Sequence, residues 1–184
     1  MIKAFKWIFI IFIWVVLFLS ITVTWSLLNL PETESIQISR QPSITFLDKD
    51  GRIIASYGDI YGQSIKYKDL PKNLVNAVIV TEDKRFFYHP GIDLKGIVRA
   101  FYVNLKAGRI VQGGSTITQQ LAKNLFLTPE RSFTRKLHEL ILSFWLEMRF
   151  SKQQILSIYL NRVYLGSGTY GVQAAAEKYF NKKV

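Results

Sequence analysis

The sequence predicts a mainly α-helical protein that carries an N-terminal transmembrane helix and a short β-hairpin. Three observations carry this expectation. Trp7 to Leu30 holds no charged residue over 24 positions. From Pro71 onward apolar residues recur at helical spacing. The strand signal is a pair of short runs, Ile44-Thr45-Phe46-Leu47 and Arg52-Ile53-Ile54-Ala55-Ser56-Tyr57, around Asp48-Lys49-Asp50-Gly51, an Asp-Gly turn.

The first element is the apolar run. A bilayer core needs about 20 apolar residues as a helix, so this run can span it. A cleaved signal peptide has an apolar region of about 7–15 residues followed by a small-residue cut site. The run is longer than that, and Leu28-Asn29-Leu30-Pro31-Glu32 offers no such site. Lys3 and Lys6 precede it, and Glu32 and Glu34 are the first charges after it. The positive-inside tendency leaves the N-terminus in the cytoplasm and exports the rest. The expected organisation is therefore a cytoplasmic tail over 1–6, a retained anchor over 7–30, a linker over 31–43 and a domain over 44–184. Two prolines and no periodicity mark the linker.

The exported part has about 150 residues, enough for one domain with a real core. The chain carries a net charge of +11. Between Lys95 and Arg162 there are eleven Lys or Arg against Glu130, Glu139 and Glu147. Such a surface suits phosphates, on nucleic acid, lipid headgroups or a pyrophosphate-linked substrate, or is simply a solvated basic face. Export argues against nucleic acid. The chain has no cysteine, which excludes disulfides, thiolate metal sites and Cys nucleophiles.

Within the domain, Pro71 suits a first helical position. Leu74, Val78 and Glu82 follow at i, i+4 and i+8, so Glu82 ends an apolar stripe. Partial burial there would raise its pKa toward the range of a general base. The other reading is a carboxylate at the helix end paired with Lys84 or Arg85. Ser115, after Gly113 and Gly114, reads as the N-cap of the next helix. Ile117, Leu121 and Leu125 form its apolar side, and Thr116, Gln119, Gln120, Lys123 and Asn124 its polar side. A helix N-terminus behind glycines offers N–H groups to an anion, although an ordinary amphipathic helix has the same pattern.

Phe133, Leu137, Leu140, Ile141, Phe144, Trp145 and Met148 mark a long helix. On it Arg135 and Lys136 stand within salt-bridge reach of Glu139. They would hold Glu139 ionised and reach for phosphates, or form an exposed surface pair. Ser151 with Gln154 reads as a capping box opening a helix through Tyr164. Gly166 to Gly171 matches a dinucleotide-binding glycine pattern, but a helix precedes it and a turn is expected. A last helix from about Gly171 to Phe180 presents Val172, Ala175, Ala176, Tyr179 and Phe180 as an apolar face with little sequence left to cover it. No Ser-x-x-Lys string occurs, and His89 and His138 are the only histidines. Serine acyl transfer and a His-rich metal site lack their parts. Two carboxylates, Glu82 and Glu139, flanking a polar segment are what glycosyl transfer needs.

The stretch from about Ile44 to Phe180 resembles the peptidoglycan glycosyltransferase (transglycosylase) domain of class A penicillin-binding proteins and their monofunctional relatives. Five motifs carry the resemblance: Glu82-Asp83 through Phe86, His89 and Gly91; Gly114-Ser115-Thr116 with Gln119-Gln120 and Lys123-Asn124; Arg135-Lys136 with Glu139; Lys152 with Ile155-Leu156 and Tyr159-Leu160-Asn161; and the glycine cluster followed by Ala174-Ala175 and Tyr179-Phe180.

The resemblance implies a lysozyme-like, two-lobed fold whose smaller lobe touches the membrane. It implies polymerisation of lipid II into glycan strands with inversion. In it Glu82 is the base toward the acceptor hydroxyl. Glu139, Arg135, Lys136 and Lys123 manage the lipid pyrophosphate. Asp83, Phe86, His89, Gly114, Ser115, Thr116, Gln119, Gln120 and Asn124 complete the substrate-binding set. No cofactor is required by the sequence; some members use a divalent cation (Mg or Mn) at the pyrophosphate. The implied partners are lipid II, the nascent glycan strand, the membrane and other cell-wall synthesis proteins. The family domain runs some tens of residues beyond Tyr179-Phe180, so a C-terminally truncated domain without a transpeptidase is expected. A lipid II-binding fragment and a lysozyme-like hydrolase are the rival readings.

Overall fold

The computed structural model describes residues 2–28, 44–51, 53–127 and 132–184. The chain divides into two units, Met1–Thr33 and Glu34–Val184. Helix α1, Ile2–Leu28, makes up the described part of the first and holds residues 7–28 of the uncharged run. Among the residues whose side chains are described, no helix is long and apolar enough to cross a membrane. The expected linker lies outside the described residues.

The second unit is mainly helical, as expected. It opens with the hairpin: β1 (Ile44–Leu47) pairs antiparallel with β2 (Ile53–Tyr57). The Asp-Gly turn closes through Gly51 N–H to the Asp48 carbonyl at 3.1 Å and Asp50 N–H to Asp48 Oδ1 at 2.8 Å. A two-residue strand, β3 (Ile60–Tyr61), follows. Helix α2 is Lys72–Glu82, with Pro71 as its N-cap, one position before the expected first turn. Helices α3 (Leu94–Ala107), α4 (Ile117–Phe126), α5 (Phe133–Arg149) and α6 (Lys152–Arg162) complete the main body. Strand β4 (Thr169–Tyr170) and helix α7 (Val172–Phe180) end it.

Helix α4 lies against both α5 and α6. Ile117, Leu121 and Ala122 of α4, Leu146 of α5, and Ile155 and Leu156 of α6 are all fully buried. Burial of apolar side chains at about 1.5–3 kcal/mol each makes this three-helix contact the main store of stability. Trp145 meets Phe126 edge-to-face at 5.8 Å and closes one end of the core. The box predicted at Ser151 and Gln154 starts α6: each side chain accepts the other's backbone N–H.

Asn161, near the end of α6, ties an upstream loop to this body. Its Oδ1 accepts Ile65 N–H at 2.9 Å and its Nδ2 donates to the Ile65 carbonyl at 2.8 Å. Helix α6 ends at Arg162, short of the expected Tyr164, because the chain turns there toward Gly171. Gly171 has φ +82°, and a Cβ on it would lie 2.7 Å from the Asn161 carbonyl oxygen. Only glycine fits that approach. The glycine cluster is not merely a turn. Within it β4 pairs in parallel with β3, Ile60 opposite Thr169, and Tyr61 stacks on Tyr170 at 5.0 Å.

Helix α3 was not anticipated, although Leu94, Ile97, Val98, Phe101, Tyr102 and Leu105 have helical spacing. All six are exposed. The segment after it is held by Asn104, whose Oδ1 accepts Val111 N–H at 2.8 Å and Gln112 N–H at 2.9 Å. Asn104 Nδ2 donates to the Gln112 carbonyl at 2.9 Å. This clamp sets where the chain enters α4.

Candidate active site

Glu82 is the last residue of α2 and is exposed, which corrects the expected partial burial. Helix α2 stops there because the next residue turns inward. Asp83 has φ −157° and is buried, so burial falls on Asp83 and not on Glu82. Neither Lys84 nor Arg85 is the partner of Glu82. Arg85 faces Asp93 at 3.7 Å. Gln120 Nε2 donates to Glu82 Oε2 at 2.9 Å, and the Tyr159 hydroxyl donates to Gln120 Oε1 at 3.1 Å.

Asp83 does the joining. Both of its carboxylate oxygens lie 3.0 Å from His89 Nε2, and Oδ2 also accepts the N–H of Ile117 at 3.1 Å. Ile117 is the first residue of α4. The anion at this helix N-terminus is therefore supplied by the protein itself, where helix dipole and free N–H favour negative charge. The N-cap is Thr116 and not Ser115. Thr116 Oγ1 and the Gln119 N–H are 3.1 Å apart, as are the Thr116 N–H and Gln119 Oε1, a complete capping box. Thr116 Oγ1 donates in turn to the Gly91 carbonyl at 2.6 Å. The N–H groups of Ile117 and Gln119 are thus already satisfied, which corrects the reading of this terminus as an open anion site.

The polar side of α4 divides accordingly. Thr116 and Gln119 are buried and hold the terminus; Gln120 is half-buried beside Glu82; Lys123 and Asn124 are exposed. Phe86, Asp83 and His89 are buried as well. Gly114 packs against Ile97 and Ala100 of α3, and Ser115 stays exposed.

Glu139 sits in a cationic clamp. Arg135 Nη1 bonds its Oε1, and Lys136 Nζ lies 2.7 Å from its Oε2. The helical spacing anticipated both pairs, but the exposed-surface version does not hold. Glu139 is only 4% exposed. Lys136 Nζ also reaches Ser115 Oγ at 3.2 Å, so the clamp touches the start of α4. Arg135 Nε is buried and has no hydrogen-bond partner among the described residues. An unpaired buried guanidinium N–H is costly unless an anion meets it. The site thus has two centres, Glu82 on Gln120 and Glu139 with its cations on Ser115. They flank one short stretch of chain.

A third cluster escaped the sequence. Glu147 Oε1 accepts from Thr118 Oγ1 at 2.6 Å and from Lys152 Nζ at 2.7 Å. Lys152 Nζ also donates to the His89 carbonyl at 2.7 Å and stands 4.5 Å above the Phe86 ring. It braces the loop that carries His89 and Gly91. Lys152 stands in the fourth motif; its partner Glu147 belongs to none and counts in the sequence only as one of three acids in the basic stretch.

Among the described residues no group of three or more His, Asp, Glu or Cys side chains converges to hold a metal ion. Asp83, Glu139 and Glu147 are each committed to donors of the protein. These residues fit a resident divalent cation poorly.

Beside Glu82 a cavity of about 400 Å³ is lined by Leu74, Val78, Tyr159, Leu160, Val172, Ala175 and Phe180, among others. The α7 face expected to lack cover is therefore partly covered: Val172 and Ala175 are buried, while Phe180 is 72% exposed.

A family model described as Transglycosylase matches residues 50–184. Among curated proteins, penicillin-binding protein 1A of Aquifex aeolicus (strain VF5) is 48% identical over 157 residues, 85% of this chain and 22% of that protein. Penicillin-binding protein 1A of Neisseria flavescens is 45% identical, with 85% and 20% covered. That of Pseudomonas aeruginosa is 40% identical, with 85% and 19% covered. The chain spans about a fifth of the length of these relatives.

The Tyr159 hydroxyl supplies a pH test. Burial first, and the Glu82 charge second, push its pKa up from 10.0 to about 12. The folded state holds this proton more tightly than the unfolded chain does. The associated stability is therefore full below pH 10 and is lost as pH rises toward about 12. Tyr159→Phe is expected to lose less stability across that window than the parent, measured by denaturant unfolding at each pH. Parallel curves for the two proteins would contradict the assignment.

Proposed function

This chain belongs to the transglycosylase family, and we propose that it polymerises lipid II into glycan strands, with inversion at the donor sugar and release of lipid pyrophosphate. The observation that carries the reading is the split of the site into an exposed carboxylate and a separate clamp of cations around a buried one. Glu82 accepts one side-chain hydrogen bond, on Oε2, among the described residues. It is the group placed to take the proton of an acceptor sugar hydroxyl. The 4-hydroxyl of an acceptor N-acetylglucosamine then attacks C1 of the donor muramyl sugar. The C1–O bond to pyrophosphate breaks, and its electron pair leaves with the phosphate oxygen.

Arg135, Lys136 and Lys123 neutralise that leaving group. Arg135 brings an Nε–H that has no hydrogen-bond partner among the described residues, and the exposed Lys123 adds a further charge. Glu139 orients its two cations and keeps their separation fixed. Ser115, Gln120 and Asn124 border the donor cleft, while Asp83, Phe86, His89, Gly114, Thr116 and Gln119 shape it from behind. A Mg or Mn ion, where one takes part, would be held mainly by the pyrophosphate itself, since Asp83, Glu139 and Glu147 are engaged with donors of the protein. A hydrolase would need one carboxyl in an apolar, unpaired setting to serve as acid. Glu82 is exposed and Glu139 lies between two cations, so hydrolysis fits less well.

The two-lobed, lysozyme-like arrangement and the membrane location belong to the same proposal. Helix α1 has 27 residues, and at about 1.5 Å per residue it is long enough for a bilayer core. Helix α3 supports a lobe lying on the membrane. Leu94, Val98, Phe101, Tyr102 and Leu105 are exposed, and Lys95, Arg99 and Lys106 share the helix. Apolar side chains with interleaved cations suit an anionic interface. Other cell-wall synthesis proteins would meet the exported domain, with the N-terminus cytoplasmic.

Glu82→Gln keeps shape and removes the base. Polymerisation of labelled lipid II in a reconstituted membrane is expected to fall by about 10²–10⁴-fold with binding retained. Near-normal turnover would sink the assignment. Arg135→Ala is expected to weaken lipid II binding and to change its salt dependence; unchanged affinity at all salt concentrations would place the pyrophosphate elsewhere. For the anchor, protease added to intact spheroplasts should digest the domain over 44–184, and full protection would reverse the topology.

A further inference from the structure

We propose that Tyr159 is a positioning residue for Glu82, acting through the side-chain amide of Gln120. The proposal rests on the reading of Glu82 as the base. From its spacing alone Tyr159 is a core residue of α6, and it is 2% exposed. A buried hydroxyl needs a hydrogen-bond partner. This one has Gln120 Oε1, at 3.1 Å.

The amide of Gln120 has two ends of nearly equal shape and opposite polarity. One faces the Tyr159 hydroxyl and the other faces the Glu82 carboxylate, 2.9 Å from Oε2. Turned the other way, the amide would set its carbonyl lone pairs against a carboxylate. The tyrosine proton gives the carbonyl end a donor and so holds the amide in the one orientation that donates to Glu82. Burial and the Glu82 charge keep that hydroxyl protonated up to about pH 12, so the donor persists throughout any working range.

The consequence for the reaction is directional. Glu82 stands on the solvent side of a helix end, where an unheld carboxylate samples several rotamers. With Oε2 pinned by Gln120, the remaining oxygen has a set position toward the acceptor hydroxyl. Proton transfer requires a hydrogen-bond distance of about 2.6–3.2 Å, and misplacement by about 1 Å costs up to 10²-fold. Tyr159 touches no substrate in this scheme. It acts on kcat through geometry.

Tyr159→Phe retains the ring and its packing. In reconstituted full-length chain acting on labelled lipid II, kcat is expected to drop about 10-fold with KM nearly unchanged. The melting temperature at neutral pH should move little. Gln120→Met breaks the same link from its other side, and should give a comparable loss even where Tyr159→Phe folds poorly. Acting in series, the two changes combined should cost no more than the larger single one. A loss in KM with kcat intact, or multiplicative losses in the double variant, would overturn the positioning role. So would full activity of Tyr159→Phe alongside an inactive Glu82→Gln, which leaves the base assignment standing. Activity in Glu82→Gln removes the base itself, and the proposal falls with it.

Discussion

The buried carboxylate of Asp83 is the interaction on which the rest of the site depends. It stands one residue beyond Glu82, at the point where α2 ends. It holds His89 at 3.0 Å and the first N–H of α4 at 3.1 Å. Three separate segments thereby meet on one side chain. A buried carboxyl is costly unless it is hydrogen-bonded. Both oxygens of Asp83 lie within hydrogen-bond distance of the His89 ring, and one also accepts the first N–H of a helix, so it can remain in the interior. Glu82, its neighbour along the chain, consequently faces out. The two adjacent acids are separated by direction, one buried in the structure and one left exposed.

From that junction the remaining parts follow in order. Because α4 begins at Asp83, Gln120 comes up beside Glu82 one turn later. Because Thr116 caps the helix and donates to the Gly91 carbonyl, the loop from His89 to Gly91 is drawn onto the same end. Lys152 fastens that loop from beneath through the His89 carbonyl and Glu147. Ser115, just before the cap, meets Lys136 of the cationic clamp. The cationic clamp around Glu139 and the Glu82 carboxylate are therefore set by opposite ends of a six-residue run, Ser115 to Gln120. A rigid link of this kind suits catalysis by positioning, in which donor and acceptor must meet in one geometry.

Sequence periodicity was enough for the helical class, the hairpin, and helices α2, α4, α5, α6 and α7 to within a residue or two. The capping box at Ser151 and the pairing of Arg135 and Lys136 with Glu139 were readable because both are local, within four residues. What local pattern could not show was direction. Spacing placed Glu82 on an apolar stripe, yet the chain turns at Asp83 and gives the burial to the next residue. Ser115 and Thr116 are both good caps, and the choice was made by Gly91, twenty-five positions away. In the sequence, Glu147 is one of three acids in a basic stretch and Tyr159 an aromatic at core spacing. Their roles come from Thr118, Lys152 and Gln120, which lie on other helices. Helix α3 is the opposite case. Its pattern was plain in the sequence, but its apolar residues are exposed, so a reading that looks for a core passes over it.

Hydrogen exchange at the Ile117 amide tests the Asp83 junction most directly. Asn at position 83 keeps the shape but lacks the charge and turns one acceptor into a donor. If Asp83 anchors α4, Asp83→Asn speeds exchange of Ile117 and the first turn of α4 while the Leu146 and Ile155 amides, deep in the core, stay protected. Unchanged protection at Ile117 in a folded Asp83→Asn protein would contradict the account, since the helix terminus would then hold without the carboxylate.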